Sequence, residues 1–214
     1  DTFGISIKLL DKTLIYKTNE KPTKAIKKKE YKNFLEEKLK KNLNENLLLI
    51  GQTRLVTNGS KFSYKNNQPI ETKNIVGVHN GIFTNLQSYD KKKTENLESY
   101  YVKSDSLTFF ENISNFANDQ NFINQYIQYL KNIIGNYSVA FQVRNENKII
   151  ISSNCGSLYY YFDENFFCFA SEKNILYEYL LTSKLFSSKK IDKNKIEQCL
   201  NETIIFDKRV NDLY

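Results

Sequence analysis

The sequence predicts an α+β fold in which two antiparallel sheets lie between helical layers, and three observations carry that reading. Strand-length apolar runs come in consecutive pairs toward both ends of the chain, which favours hairpins. Two segments with apolar residues at three- and four-residue spacing sit together in the middle. Sheets that are apolar on both faces also need a cover on each side. With 214 residues, 40% of them hydrophobic, the chain can bury one sizeable core, so a single domain over residues 1–214 is expected.

Phe3 to Leu10 and Thr13 to Lys17 read as strands joined by a short Asp-Lys turn. Lys28 to Asn42 reads as an amphipathic helix with Tyr31, Phe34, Leu35 and Leu39 on one face. Leu47 to Gly51 is a buried strand, Asn58 to Thr72 a polar loop and Ile75 to His79 another strand. The helical pair is Ser106 to Ala117 and Phe122 to Ile134. After Gly135 come strands at Tyr137 to Val143, Lys148 to Ser152, Leu158 to Phe162 and Phe166 to Ala170, then a helix from Ser171 to Leu181 and a last strand, Thr203 to Phe206. There is no internal repeat and no Pro/Gly-rich linker.

The formal charge is +7, but Lys27–Lys29, Lys91–Lys93 and Lys189–Lys190 are separate clusters interleaved with acidic residues. That is a solvated surface rather than one nucleic-acid face, so no nucleic-acid partner is expected. Cys155, Cys168 and Cys199 are too few and too scattered for a disulfide framework or a zinc site, so reduced thiols, no metal and no cofactor are expected. No window nears eighteen apolar residues and no signal peptide is legible, which reads as a cytoplasmic protein without a membrane partner.

Three short motifs carry chemistry. In GQTRLVTNGS, Gly51 to Ser60, a buried strand delivers Arg54, whose planar fork suits a carboxylate, and Thr57, Asn58 and Gly59 add hydroxyl and backbone donors beside it. A surface ion pair is the plainer reading of Arg54. In VHNG, Asn80 can aim its amide into a cleft while Gly81 brings a backbone N–H close to a bound atom, together an oxyanion hole. Asn-Gly is equally the preferred dipeptide of a β-turn. In VKSDSLTFFENI, Asp105 stands ahead of a helix and either caps it or receives an ammonium group.

Taken in order, TRLVTNG, VHNGI, SDS, GNYSVAF at 135–141 and FASEKNIL at 169–176 resemble the glutaminase domain of class II glutamine amidotransferases. These are N-terminal-nucleophile hydrolases with a four-layer αββα sandwich, and the likeness is nearest to the branch of glucosamine-6-phosphate synthase and glutamine phosphoribosylpyrophosphate amidotransferase. The resemblance spans nearly the whole chain. It implies that Asn80 and the Gly81 N–H form the oxyanion hole for the glutamine amide, that Arg54 clamps the α-carboxylate, and that Asp105 accepts the α-ammonium. Thr57, Asn58 and Gly59 match the loop that closes over glutamine, and His79 is implied as a positioning residue. Leu55 and Asn58 depart from an aromatic residue and a His common in that loop, and Gln68 and Ile70, in NNQPI, stand where histidines are common.

The family's chemistry needs an N-terminal cysteine whose thiolate attacks the amide while its own α-amine relays the proton. Asp1 cannot do this. If Phe3-Gly4-Ile5 replaces the family's Cys-Gly-Ile opening, the chain is a dead, glutamine-binding or regulatory module. If Asp1 to Ile5 instead matches the family's internal Asp-Ser-x-Gly-Ile segment, the nucleophile lies upstream, and the spacing to Arg54 favours this second alignment. A chain that starts at Asp1 and contains no Met fits a missing N-terminal segment. Neither Cys155, at a turn between strands, nor Cys168, alternating with phenylalanines, pairs with a base from sequence. The implied activity is glutamine hydrolysis, with ammonia passed to a synthase domain or subunit. Amino-sugar synthesis is the leaning for that acceptor, and a homo-oligomer is allowed for.

Overall fold

The computed structural model describes residues 2–9, 12–39, 47–54, 64–86, 89–94, 97–163, 166–184, 191–207 and 212–213, and every strand pairing among them is antiparallel. The largest sheet has six strands in the spatial order β14 (Asp212–Leu213), β13 (Glu202–Asp207), β9 (Lys148–Ser153), β8 (Gly135–Val143), β5 (Ile75–Phe83) and β4 (Ile70–Glu71). Two three-stranded sheets accompany it. One runs β2 (Thr13–Thr18), β1 (Thr2–Lys8), β3 (Leu48–Arg54); the other runs β11 (Phe166–Ala170), β10 (Tyr159–Asp163), β12 (Glu197–Gln198). A separate ribbon pairs β6 (Tyr89–Thr94) with β7 (Leu97–Val102). The helices are α1 (Pro22–Ala25), α2 (Lys29–Leu39), α3 (Asp105–Ser114), α4 (Phe122–Lys131) and α5 (Lys173–Thr182).

The layer order follows from strand alternation, which sends successive side chains to opposite faces. From the six-stranded sheet, Ile75, Val139, Phe141, Ile150 and Ile205 point to one face, where Leu107, Phe110 and Ile113 of α3 and Phe122 and Tyr126 of α4 cover them. The Phe141 ring lies 5.1 Å from Tyr126 and 6.3 Å from Phe110, and the Tyr126 hydroxyl donates to Ser152 Oγ at 3.0 Å, so the buried phenol keeps a partner. Val76, Val78, Ala140, Ile149 and Ile151 point to the other face and meet Leu48 and Ile50 of β3 and Leu158 and Tyr160 of β10. Those two smaller sheets thus form one second layer. Its outer side is covered by α2, through Tyr31, Phe34 and Leu35 on Ile5 and Ile7, and by α5, through Leu176 and Leu180 on Tyr161. The result is the expected αββα sandwich.

Three local expectations change. β5 does not end at His79 but runs through Asn80 and Gly81 to Phe83, paired residue by residue with β8. The β-turn reading of Asn-Gly is thereby overturned, because a nine-residue ladder holds the dipeptide extended. Within the expected polar loop, Asn66, Asn67, Gln68 and Ile70 are buried, Asn66 closes a 3-10 turn from Tyr64, and Ile70 opens β4. The β6–β7 ribbon was not expected at all.

Candidate active site

β4 is only two residues long, so beyond Gly77 one edge of β5 has no strand beside it. Side chains take the strand's place. At His79 the Gln68 carboxamide accepts from the backbone N–H at 2.6 Å and donates to the C=O at 2.8 Å, and Gln52 adds a second donor to that C=O at 2.9 Å. At Phe83 the backbone N–H donates to Asp105 Oδ2 at 2.9 Å. Alternate residues of an antiparallel strand turn their polar groups to the same side. The N–H of Gly81, midway between these two clamped positions, therefore emerges on this open edge.

Gly81 has φ +137°, and a Cβ there would stand 2.0 Å from the Asn136 carbonyl oxygen, so only glycine fits. Asn80 follows Val76 and Val78 on the alternation toward the second sheet, at the end of the sandwich where that face is no longer covered. Its side chain is exposed and makes no hydrogen bond among the described residues, whereas its backbone is held opposite Ser138 of β8. Among the described residues, one amide group and one neighbouring N–H are left available between the clamped positions His79 and Phe83.

Asp105 is 6% exposed and is the first residue of α3 rather than its cap. Ser104 caps the helix, its Oγ accepting from Leu107 N–H at 3.1 Å, as expected for a residue with extended backbone just before the first turn. Asp105 is thereby released for another task. Its Oδ1 accepts from Ser106 N–H at 2.8 Å and its Oδ2 holds Phe83, which ties α3 to the end of β5 two residues past Gly81. Oδ1 also accepts from Ser106 Oγ at 3.4 Å, whereas Oδ2 keeps a second lone pair that can meet a cation. The His79 ring lies on the opposite face of the sheet from Asn80, with Nδ1 2.8 Å from Ser106 Oγ and the ring stacked on Phe83 at 4.0 Å. It supports α3 against β5. Arg54 ends β3 with its backbone opposite Thr2, two residues beyond Gln52, so the end of β3 converges on the same corner. The Arg54 side chain and Thr57, Asn58 and Gly59 lie outside the described residues.

Cys155 occupies the turn between β9 and β10, with Sγ 3.5 Å from Ser138 Oγ, and Ser138 is the strand partner of Asn80. Partial burial opposes ionisation of this thiol, but hydrogen bonds from Ser138, the Ser157 backbone and Ser153 outweigh it and hold it below the ordinary cysteine value. Burial pushes Cys168 and Cys199 up to about 12. Only Cys155 is therefore expected to react with a thiol reagent in the native protein near neutral pH, the other two following on denaturation; peptide mapping after brief iodoacetamide treatment checks this. Among the described residues the Tyr137 phenol interacts with Cys155, but burial above all raises its own pKa and leaves it no base near neutral pH. No group of His, Cys, Asp and Glu that could hold a metal ion is present among the described residues.

Sequence reasoning missed the roles of Gln52 and Gln68. Gln52 left a signal, since it interrupts the inward alternation Leu48, Ile50, Gln52 with a polar residue. Gln68 drew notice only as a departure at a position where histidines are common, and nothing in the sequence pointed to its partner, a backbone eleven residues away.

The family described as "glutamine amidotransferase domain" matches residues 52–178, a span that contains Arg54, Asn80, Gly81 and Asp105. Among solved structures, the chain is similar to glutamine phosphoribosylpyrophosphate amidotransferase from B. subtilis, complexed with ADP and GMP, at 13% identity and TM-score 0.53, over 100% of this chain and 42% of that one. It is also similar to a structure described as the allosteric regulatory enzyme of purine biosynthesis, at 16% identity and TM-score 0.59, over 98% and 41%. The chain thus spans about two fifths of the length of these structures, and the likeness is one of fold. No curated protein matches it.

Proposed function

The chain belongs to the glutamine amidotransferase domain family, and from that premise we propose that it binds L-glutamine and hydrolyses the side-chain amide, releasing ammonia to a synthase domain or partner. One observation carries the reading: among the described residues the Asn80 side chain and the Gly81 N–H make no hydrogen bond, while the His79 N–H and C=O and the Phe83 N–H on either side of them are held. Two donors on adjacent residues of a rigid ladder suit the oxyanion that forms when a nucleophile adds to an amide carbon. In this reading an N-terminal cysteine, which the residues 1–214 do not supply, adds to that carbon. Asn80 and Gly81 bind the oxygen, and loss of ammonia leaves a thioester that water cleaves to glutamate. Asp105 takes the α-ammonium, Arg54 the α-carboxylate, and Thr57, Asn58 and Gly59 close over the substrate.

Amino-sugar synthesis, toward which TRLVTNG and VHNGI lean, finds no support in the solved structures, and no acceptor is assigned. No helix among the described residues is long and apolar enough to cross a membrane.

The test is the N-terminal sequence and intact mass of the protein expressed from its own start codon, followed by a glutamate-release assay. A first residue of cysteine with glutamine turnover is expected. A mature protein without that cysteine and without turnover overturns the enzymatic reading in favour of a glutamine-binding module. Arg54→Ala is expected to weaken glutamine binding by on the order of ten- to a hundredfold, the range of a charge-assisted hydrogen-bond pair, with kcat little changed. Calorimetric titration with L-glutamine measures it, and normal affinity removes the clamp assignment.

A further inference from the structure

We propose that Gln68, assisted by Gln52, is a positioning residue that sets the geometry of the Asn80–Gly81 donor pair; the proposal rests on the glutaminase reading above. Gln68 engages both backbone groups of His79, one as acceptor and one as donor, as a residue of a neighbouring strand would. Fixing the His79 N–H and C=O fixes the peptide plane that leads directly into Asn80. With Phe83 held by Asp105 on the far side, the open edge of β5 is pinned on both sides of Gly81.

Gln68 is itself rigidly seated. It is 3% exposed, and Gly4 of β1 presses against it so closely that a Cβ on Gly4 would stand 2.2 Å from the Gln68 carbonyl oxygen and 2.8 Å from Pro69 Cδ. The segment before it is fastened from three directions. Asn66 Oδ1 accepts from the Ser104 N–H at 3.1 Å, Asn67 donates to Asn19 at 2.7 Å, and Lys17 lies over the Tyr64 ring at 4.4 Å. These ties link the clamp to β2, to the turn after β2 and to the cap of α3, so the corner is one connected unit. An oxyanion donor works only where the charge develops, and a misplacement of about 1 Å can cost on the order of a hundredfold in rate.

The test uses the protein expressed from its own start codon, L-glutamine as substrate, and three variants confirmed as folded by circular dichroism. Gln68→Met keeps the volume and removes both bonds to His79; kcat is expected to fall by about ten- to a hundredfold with KM little changed. Gln52→Met removes one of two donors to the same oxygen and should show a smaller fall of the same kind. Gln68→Glu reproduces the donor–acceptor pair only when protonated, so its kcat relative to wild type should recover as the pH is lowered from about 8 to about 6, where a buried carboxyl takes up its proton. Amide hydrogen exchange of residues 79–82 should quicken in Gln68→Met. An active wild type whose Gln68→Met variant keeps its kcat overturns the clamp alone, and so does a variant that loses activity only in proportion to its unfolded fraction. A wild type that neither binds nor hydrolyses glutamine overturns the glutaminase reading and the proposal with it.

Discussion

Asn80→Ala is expected to lower kcat for glutamine hydrolysis by about a hundred- to a thousandfold, the usual cost of removing one oxyanion donor, while glutamine affinity stays nearly unchanged. The expectation is specific because the Asn80 side chain has no structural duty among the described residues. It is exposed and unbonded, and the ladder to β8 is held by the backbone, which alanine retains. The amide binds an oxygen more strongly as negative charge builds on it, so its loss falls on the transition state rather than on the bound substrate. Steady-state ammonia release and calorimetric titration separate the two quantities. A variant with intact kcat and weakened binding would move Asn80 from the chemistry to substrate recognition. Gly81 offers no comparable experiment, since a Cβ at 2.0 Å from the Asn136 oxygen disturbs the strand itself.

The layers were legible because each rests on a period that the sequence displays. The unbroken apolar run Ile75–Val78 marks a strand buried on both faces, alternation in Tyr137–Val143 marks the apolar face of the next, and helical spacing in Tyr31, Phe34 and Leu35 marks the cover of β1. The β6–β7 ribbon escaped notice because among the described residues it pairs only with itself, and because it carries Lys91–Lys93, residues depleted in strands. Asn80–Gly81 shows a different limit. The dipeptide is the strongest short-range turn signal, yet nine consecutive pairings with β8 keep it extended, so a local preference gave way to a long-range ladder. The same limit hid Gln68: a side chain that replaces a missing strand has no periodicity, and NNQPI reads as loop although Asn66, Asn67 and Gln68 are among the buried polar residues. The candidate donors were therefore readable from residue type, whereas the groups that hold them in place depended on which backbone they meet.

Asp105→Asn separates a structural duty from a binding one, and both are expected to fail measurably. Both carboxylate oxygens accept backbone N–H groups, from Phe83 and from Ser106. An asparagine can satisfy only one of them, because its NH2 meets the second N–H donor to donor. A buried N–H left without a partner costs about 1–3 kcal/mol, so the urea midpoint should fall accordingly while the fold persists. If Asp105 also receives the α-ammonium of glutamine, the neutral side chain removes one partner of a partly buried charge pair. That costs about 2–5 kcal/mol of binding, thirtyfold or more in Kd. The two losses have different signatures. A stability loss with unchanged glutamine affinity leaves Asp105 as the tie between α3 and β5 alone. Weakened binding of glutamine, set beside unchanged binding of an analogue that lacks the α-amine, assigns the carboxylate to the ammonium group, since a general distortion of the corner would weaken both ligands.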